Sequence, residues 1–173
     1  MEKGKCLKTG FDKLKKNGDR RKDNGKSKET HQNTGNPLDG LDKYFENLPL
    51  LEEFLKENDP QHKKDNGIFF TPLPVVSFIV RSINQILKEK LDKPLGLADE
   101  TVKVLDPAAG TGVFLIAAAR MAIHELTRKY GKEKANDLAR KYMMNNLFGM
   151  EKDMSLHTIA NLNISHFFQS FDL

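Results

Sequence analysis

Apolar residues fall into separate blocks along the chain, and their spacing changes from block to block. Leu41, Tyr44, Phe45 and Leu48, then Leu51, Phe54 and Leu55, recur at helical spacing, and Pro49 divides them into two short helices over 37–59. Val76, Ile79, Val80, Ile83 and Leu87 fall at i, i+3, i+4, i+7 and i+11, which predicts an amphipathic helix with one buried face. Thr71 is placed to cap it, with Pro72 and Pro74 in the first turn. Val102, Val104 and Leu105 read as a short buried strand. A long helix follows over Val113–Tyr130, with Phe114, Ala117, Ala118, Met121 and Leu126 on its packing face and Gly131 as its stop. Lys132–Asn145 predicts another helix, with Ala135, Leu138, Ala139 and Tyr142 on one side and Asn145 and Asn146 as caps. Leu147–Glu151 predicts a second strand, and Met154–Phe168 a helix facing inward with Leu156, Ala160, Ile164 and Phe167. Strands alternating with helices predict an α/β class.

Composition adds a boundary. Residues 1–30 hold eleven Lys/Arg against five Asp/Glu, whereas the whole chain carries a net charge of only +4. Basicity therefore belongs to an amino-terminal arm. Met1–Asn36 is too poor in apolar residues to offset its ordering entropy, so it is expected to be disordered, either a solvated tail or a basic arm that touches DNA phosphates, and composition does not choose between the two. The expected organisation is an arm over 1–36, a helical cap and linker over 37–66, and a main domain over 67–173. Cys6 is the only cysteine, which excludes an intrachain disulfide and fits a cytoplasmic setting. No apolar run approaches the roughly 20 residues of a membrane span, and no signal-peptide core follows the first lysines.

The candidate chemistry lies between the first strand and the long helix, in Asp106-Pro107-Ala108-Ala109-Gly110-Thr111-Gly112. Pro107 ends the strand, and the two glycines let backbone N–H groups close on a ligand. The next helix turns its positive end to the same space. An acid at the strand end can meet a cationic or hydroxylated group. Such a site suits a nucleotide-like cofactor. After Gly112 neither the third glycine of a dinucleotide fingerprint nor the Lys-Ser/Thr of a phosphate loop follows. A tight turn with no ligand would not need the acid, the proline and both glycines together. Glu151, at the end of the second strand, is placed to accept ribose hydroxyls. His157 and His166 lack Cys or His partners at metal spacing and read as structural or solvent-facing; no metal site is expected.

DPAAGTG resembles the S-adenosylmethionine loop of methyltransferases that modify adenine N6 in DNA. GIFFTPLPVVSFIV (67–80) is similar to the segment upstream of that loop in restriction–modification enzymes, above all the large fused ones, and LFGMEKD and IANLNI are also similar to the family. The resemblance implies a partial Rossmann-like S-adenosylmethionine-dependent methyltransferase fold, truncated, with N-terminal helices. It implies S-adenosylmethionine as cofactor, held by Phe70, Thr71, Pro72, Asp106, Pro107, Ala108, Gly110 and Gly112, with Glu151 at the ribose. It also implies double-stranded DNA as substrate.

The family activates adenine N6 with an Asn-Pro-Pro-Tyr/Phe loop, and this sequence contains no Asn-Pro-Pro. Asn36-Pro37-Leu38-Asp39, the nearest string, lies in the polar arm with no strand before it. No catalytic residue is therefore assigned, and the chain alone is expected to turn over little or nothing. A C-terminal polypeptide carrying the catalytic loop and target-recognition region is the expected partner. The alternatives are an inactive remnant that binds DNA or a partner, a nicotinamide-dependent oxidoreductase, and a methyltransferase acting on protein glutamine or RNA.

Overall fold

The computed structural model describes residues 5–6, 36–46 and 69–171. In chain order its elements are β1 (Lys5–Cys6), α1 (Leu73–Lys90), β2 (Val104–Asp106), α2 (Val113–Tyr130), α3 (Lys132–Asn146), β3 (Leu147–Glu151) and α4 (Met154–Gln169), with 3-10 turns at Asp42–Tyr44 and Gly96–Ala98. The sheet order is β1-β3-β2. β2 and β3 run parallel, pairing Val104 with Leu147, Leu105 with Phe148 and Asp106 with Gly149. β1 pairs antiparallel with the end of β3, Lys5 opposite Glu151. The fold is thus mixed helix and strand around a small sheet.

α2 is the centre of the core. Its run of Ala117, Ala118, Ala119 and Ala122 is buried, so neighbouring elements approach its backbone closely. α1 and α3 pack along it, and α4 reaches both it and β3. Phe167 of α4 is fully buried and stacks edge-on against Tyr44, with ring centroids 5.1 Å apart. The 36–46 segment is latched to the domain at two further points. Arg120 Nε donates to Pro37 O at 2.9 Å, and the Tyr44 hydroxyl lies 2.9 Å from Ser170 Oγ.

Several expectations need correction. Residues 37–46 form a turn and a 3-10 turn rather than a helix, although Leu41, Tyr44 and Phe45 are buried. Leu48, Pro49, Leu51, Phe54 and Leu55 lie outside the described residues, as does most of the arm. α1 starts at Leu73, with Pro72 and not Thr71 at its N-cap; Val75 and Val76 N–H donate to the Pro72 carbonyl. Its buried face is Val76, Val80 and Asn84, while Ile83 is 45% exposed. Val76, Val80 and the partly buried Leu87 keep the expected face, and Asn84 joins it, accepting from Leu97 N–H and donating to Glu125 Oε1.

β2 is not buried on both faces. Leu105 is 59% exposed, and Met150 on the same face of β3 is 43% exposed. Asn145 and Asn146 do not cap α3. Asn146 lies inside the helix and donates to Glu100 O and Val102 O, which ties α3 to the segment entering β2. The bounds of α2 and β3 and the inward face of α4 agree with the pattern of the sequence. Among the described residues, no helix is long and apolar enough to cross a membrane.

Candidate functional site

The 107–112 loop leaves the carboxyl end of β2 and enters α2, and its polar backbone groups can be followed one by one. Asp106 Oδ1 accepts Ala108 N–H at 3.2 Å, an Asx-type turn made possible by the acid immediately before Pro107. Ala109 N–H donates to Met150 O at 2.8 Å, which joins the loop to β3. Gly110 N–H donates to Glu151 Oε2 at 2.8 Å. Gly112 N–H donates back to Ala109 O at 2.7 Å. Gly112 has φ +84°, and a Cβ there would lie 3.4 Å from Ile164 Cδ1, so both its conformation and its tight seat against α4 favour glycine. The N–H groups of Thr111, Val113, Phe114 and Leu115 have no acceptor among the described residues. They are the open donors at the positive end of α2.

Glu151 is held as firmly as the loop. Its Oε1 accepts Asp153 N–H at 2.8 Å, and Asp153 caps α4 by accepting Ser155 and Leu156 N–H, each at 2.9 Å. Asp106 and Glu151 therefore meet at the ends of adjacent strands. The second oxygen of Asp106, Oδ2, is buried without a partner among the described residues. Burial chiefly, and the Glu151 charge second, raise the Asp106 pKa, while the Ala108 N–H opposes them. A buried carboxylate oxygen lacking a donor is an acceptor for a cationic or hydroxylated ligand group.

The structure thus brings together Asp106, Pro107, Ala108, Gly110, Gly112 and Glu151. It places Phe70, Thr71 and Pro72 on the extended segment immediately before α1, with Phe70 and Thr71 half-buried and Pro72 exposed. Among the described residues, no hydrogen bond joins these three to the loop. The Asn36-Pro37 string forms its own turn: Asn36 donates to Asp39 Oδ1 and its side-chain oxygen accepts Leu38 N–H. The described residues contain no group of three or more side chains able to hold a metal ion.

Two residues escaped the reading of the sequence. Asp153, an acid one position before an apolar helix, was accessible through the N-cap rule. Asn163, which donates to Thr111 O at 3.0 Å, lies in the IANLNI segment, but nothing in that segment points to its main-chain partner.

The model of the N-6 DNA methylase family matches residues 49–166, which spans α1, the glycine loop, β3 and most of α4. The chain belongs to the N-6 DNA methylase family. Within it, the chain is 41% identical over 61 residues to the Type II restriction enzyme and methyltransferase RM.BcgI of Heyndrickxia coagulans. That stretch is 35% of this chain and 8% of the relative, so the chain spans only a small part of the length of the curated methylase it matches. No solved structure matches significantly.

Proposed function

We propose that this chain is the S-adenosylmethionine-binding portion of an adenine-N6 DNA methyltransferase belonging to a restriction–modification system. The observation that carries the reading is the bond from Gly110 N–H to Glu151, which closes the loop and the second strand end around one site beside the orphaned Asp106 Oδ2. The donor set suits the cofactor. Asp106 would accept the ammonium of the methionine part and so supply the partner its buried oxygen lacks. The open N–H groups at the start of α2 suit a carboxylate. Glu151 has lone pairs left after its two backbone bonds, and these suit ribose hydroxyls. Phe70, Thr71 and Pro72 would complete the methionine side, and Pro107 and Ala108 would shape the loop.

When bound, S-adenosylmethionine supplies a methyl group on a sulfonium, already electrophilic toward an amine nitrogen. The residues of this chain would contribute orientation and proximity rather than proton transfer. The activating Asn-Pro-Pro-Tyr loop would come from further polypeptide, and double-stranded DNA would be the substrate. The partial Rossmann-like fold assigned to this portion is supported by its open sheet. Parallel sheets are normally covered on both faces, and among the described residues β2 has one strand partner, with Leu105 and Met150 exposed. The chain acts in the cytoplasm on this reading.

Calorimetric titration of the chain with S-adenosylmethionine tests the cofactor assignment. Saturable 1:1 binding that Asp106→Ala abolishes is expected. Absence of heat with the wild-type chain would favour the inactive remnant instead. Mixing with a polypeptide carrying Asn-Pro-Pro-Tyr should then restore methyl transfer to DNA.

A further inference from the structure

We infer that Asn163 is a positioning residue for the cofactor loop: its side-chain amide, donating to Thr111 O at 3.0 Å, fixes the orientation of the peptide that leads into α2. The inference rests on the proposed cofactor reading for its functional consequence, though not for its structural content. The Thr111–Gly112 peptide is held at both ends, its carbonyl by Asn163 and its N–H by Ala109 O at 2.7 Å. On its carboxyl side stands Gly112, at φ +84°, and Gly110, at φ +54°, lies one residue before Thr111. Gly112 has no Cβ to oppose rotation about its own φ, so on that side the two hydrogen bonds hold the peptide orientation. Immediately beyond lie Val113, Phe114 and Leu115, whose N–H groups are the open donors of the site. Their direction is inherited from this peptide.

Asn163 is well placed for the task. It shares a face of α4 with Ala160 and Ile164, the two side chains against Gly112. α4 itself is anchored by the Asp153 cap, two residues after Glu151. One rigid β3–α4 unit therefore grips two successive loop residues, Gly110 through Glu151 and Thr111 through Asn163. A single part-buried hydrogen bond contributes only modestly to folding. Its geometric effect on a ligand site can be much larger, roughly ten- to a hundredfold in affinity for a lost supporting contact.

The test uses the full chain with Asn163→Ala and Asn163→Asp. Amide hydrogen exchange is measured on the ligand-free protein, and S-adenosylmethionine affinity by calorimetry across pH. Asn163→Ala should speed exchange locally at Gly112 and Val113, weaken binding about tenfold or more, and leave the thermal midpoint within a few degrees. Asn163→Asp should bind poorly at neutral pH, where its carboxylate cannot donate to Thr111 O. It should recover relative to wild type as pH falls and the protonated acid can donate, while the deficit of Asn163→Ala stays flat. Wild-type exchange at Gly112 in Asn163→Ala would overturn the inference. So would faster exchange spread evenly through the domain, which a merely structural role produces. If the wild-type chain binds no S-adenosylmethionine, the cofactor reading fails, and local exchange at Gly112 still decides the role of Asn163.

Discussion

At the amino ends of β2 and β3 the polar groups are mostly spent on one another, whereas at the carboxyl ends several are not. Asn146 gives both amide hydrogens to Glu100 O and Val102 O, Lys103 donates to Asn145 O, and Asp99 accepts twice from Thr101. A cavity of about 710 Å³ opens at this end, lined by Leu126, Leu138, Tyr142 and Lys141 among others. The buried Tyr142 hydroxyl alone lacks a partner among those groups, and burial holds its pKa well above the usual phenol value. The carboxyl end holds more unspent chemistry: Asp106 Oδ2 and the first N–H groups of α2. Cavity size follows where elements happen to diverge. Unsatisfied donors and acceptors mark where a ligand completes the structure.

Substitutions should separate the two ends. The largest effect is expected at the amino end, from Gly96→Ala. A Cβ there would lie 2.0 Å from Asn84 Oδ1, and Gly96 has φ +55°. Asn84 cannot swing aside without unpairing Leu97 N–H and Glu125. A loss of about 3 kcal/mol or more in urea unfolding is expected, carried by folding alone. Next comes Glu151→Ala, which frees Gly110 and Asp153 N–H. It should cost about 1–2 kcal/mol of stability and remove measurable S-adenosylmethionine binding, a split that calorimetry and thermal melting report together.

Asp106→Asn should have the opposite sign for folding. The folded-state pKa of Asp106 is raised, so the native protein holds protons that the unfolded chain has released. The wild-type acid therefore becomes progressively destabilising as pH climbs from about 4 through that raised pKa. At neutral pH the asparagine variant should melt at a higher temperature than the wild type, while losing affinity. The smallest effect is expected at His124. Burial chiefly lowers its pKa, Arg128 and Lys88 add to this, and Glu125 opposes it. The neutral form is favoured on folding, so stability should fall as pH drops below about 6.5. His124→Gln should flatten that decline in melts taken between pH 5 and 8.

The sequence was most legible where periodicity and punctuation agreed. α2 is bounded by Gly112 and Gly131, and β3 by a helix before it and an acid after, and the bounds of both agree with the pattern. It was least legible where a polar contact overrode a pattern. Asn84 joined the buried face of α1 through its bonds to Leu97 and Glu125, and Asn146 was drawn from a cap into a bond with the chain before β2. Thr71 lost the cap because Pro72, extended at ψ 136°, occupies that position. Asp106, the glycines and Glu151 could be picked out because their residue types are unusual at strand ends. The role of Asn163 could not, since its partner is a main-chain carbonyl 52 positions away.

The most direct measurement is a backbone amide spectrum of the whole chain recorded with and without S-adenosylmethionine. Perturbations should concentrate at Gly110, Thr111, Val113, Phe114 and Glu151, at the carboxyl ends of the strands. Shifts gathered instead around Ala98, Tyr142 and Asn146 would place the ligand at the opposite end and contradict the assignment.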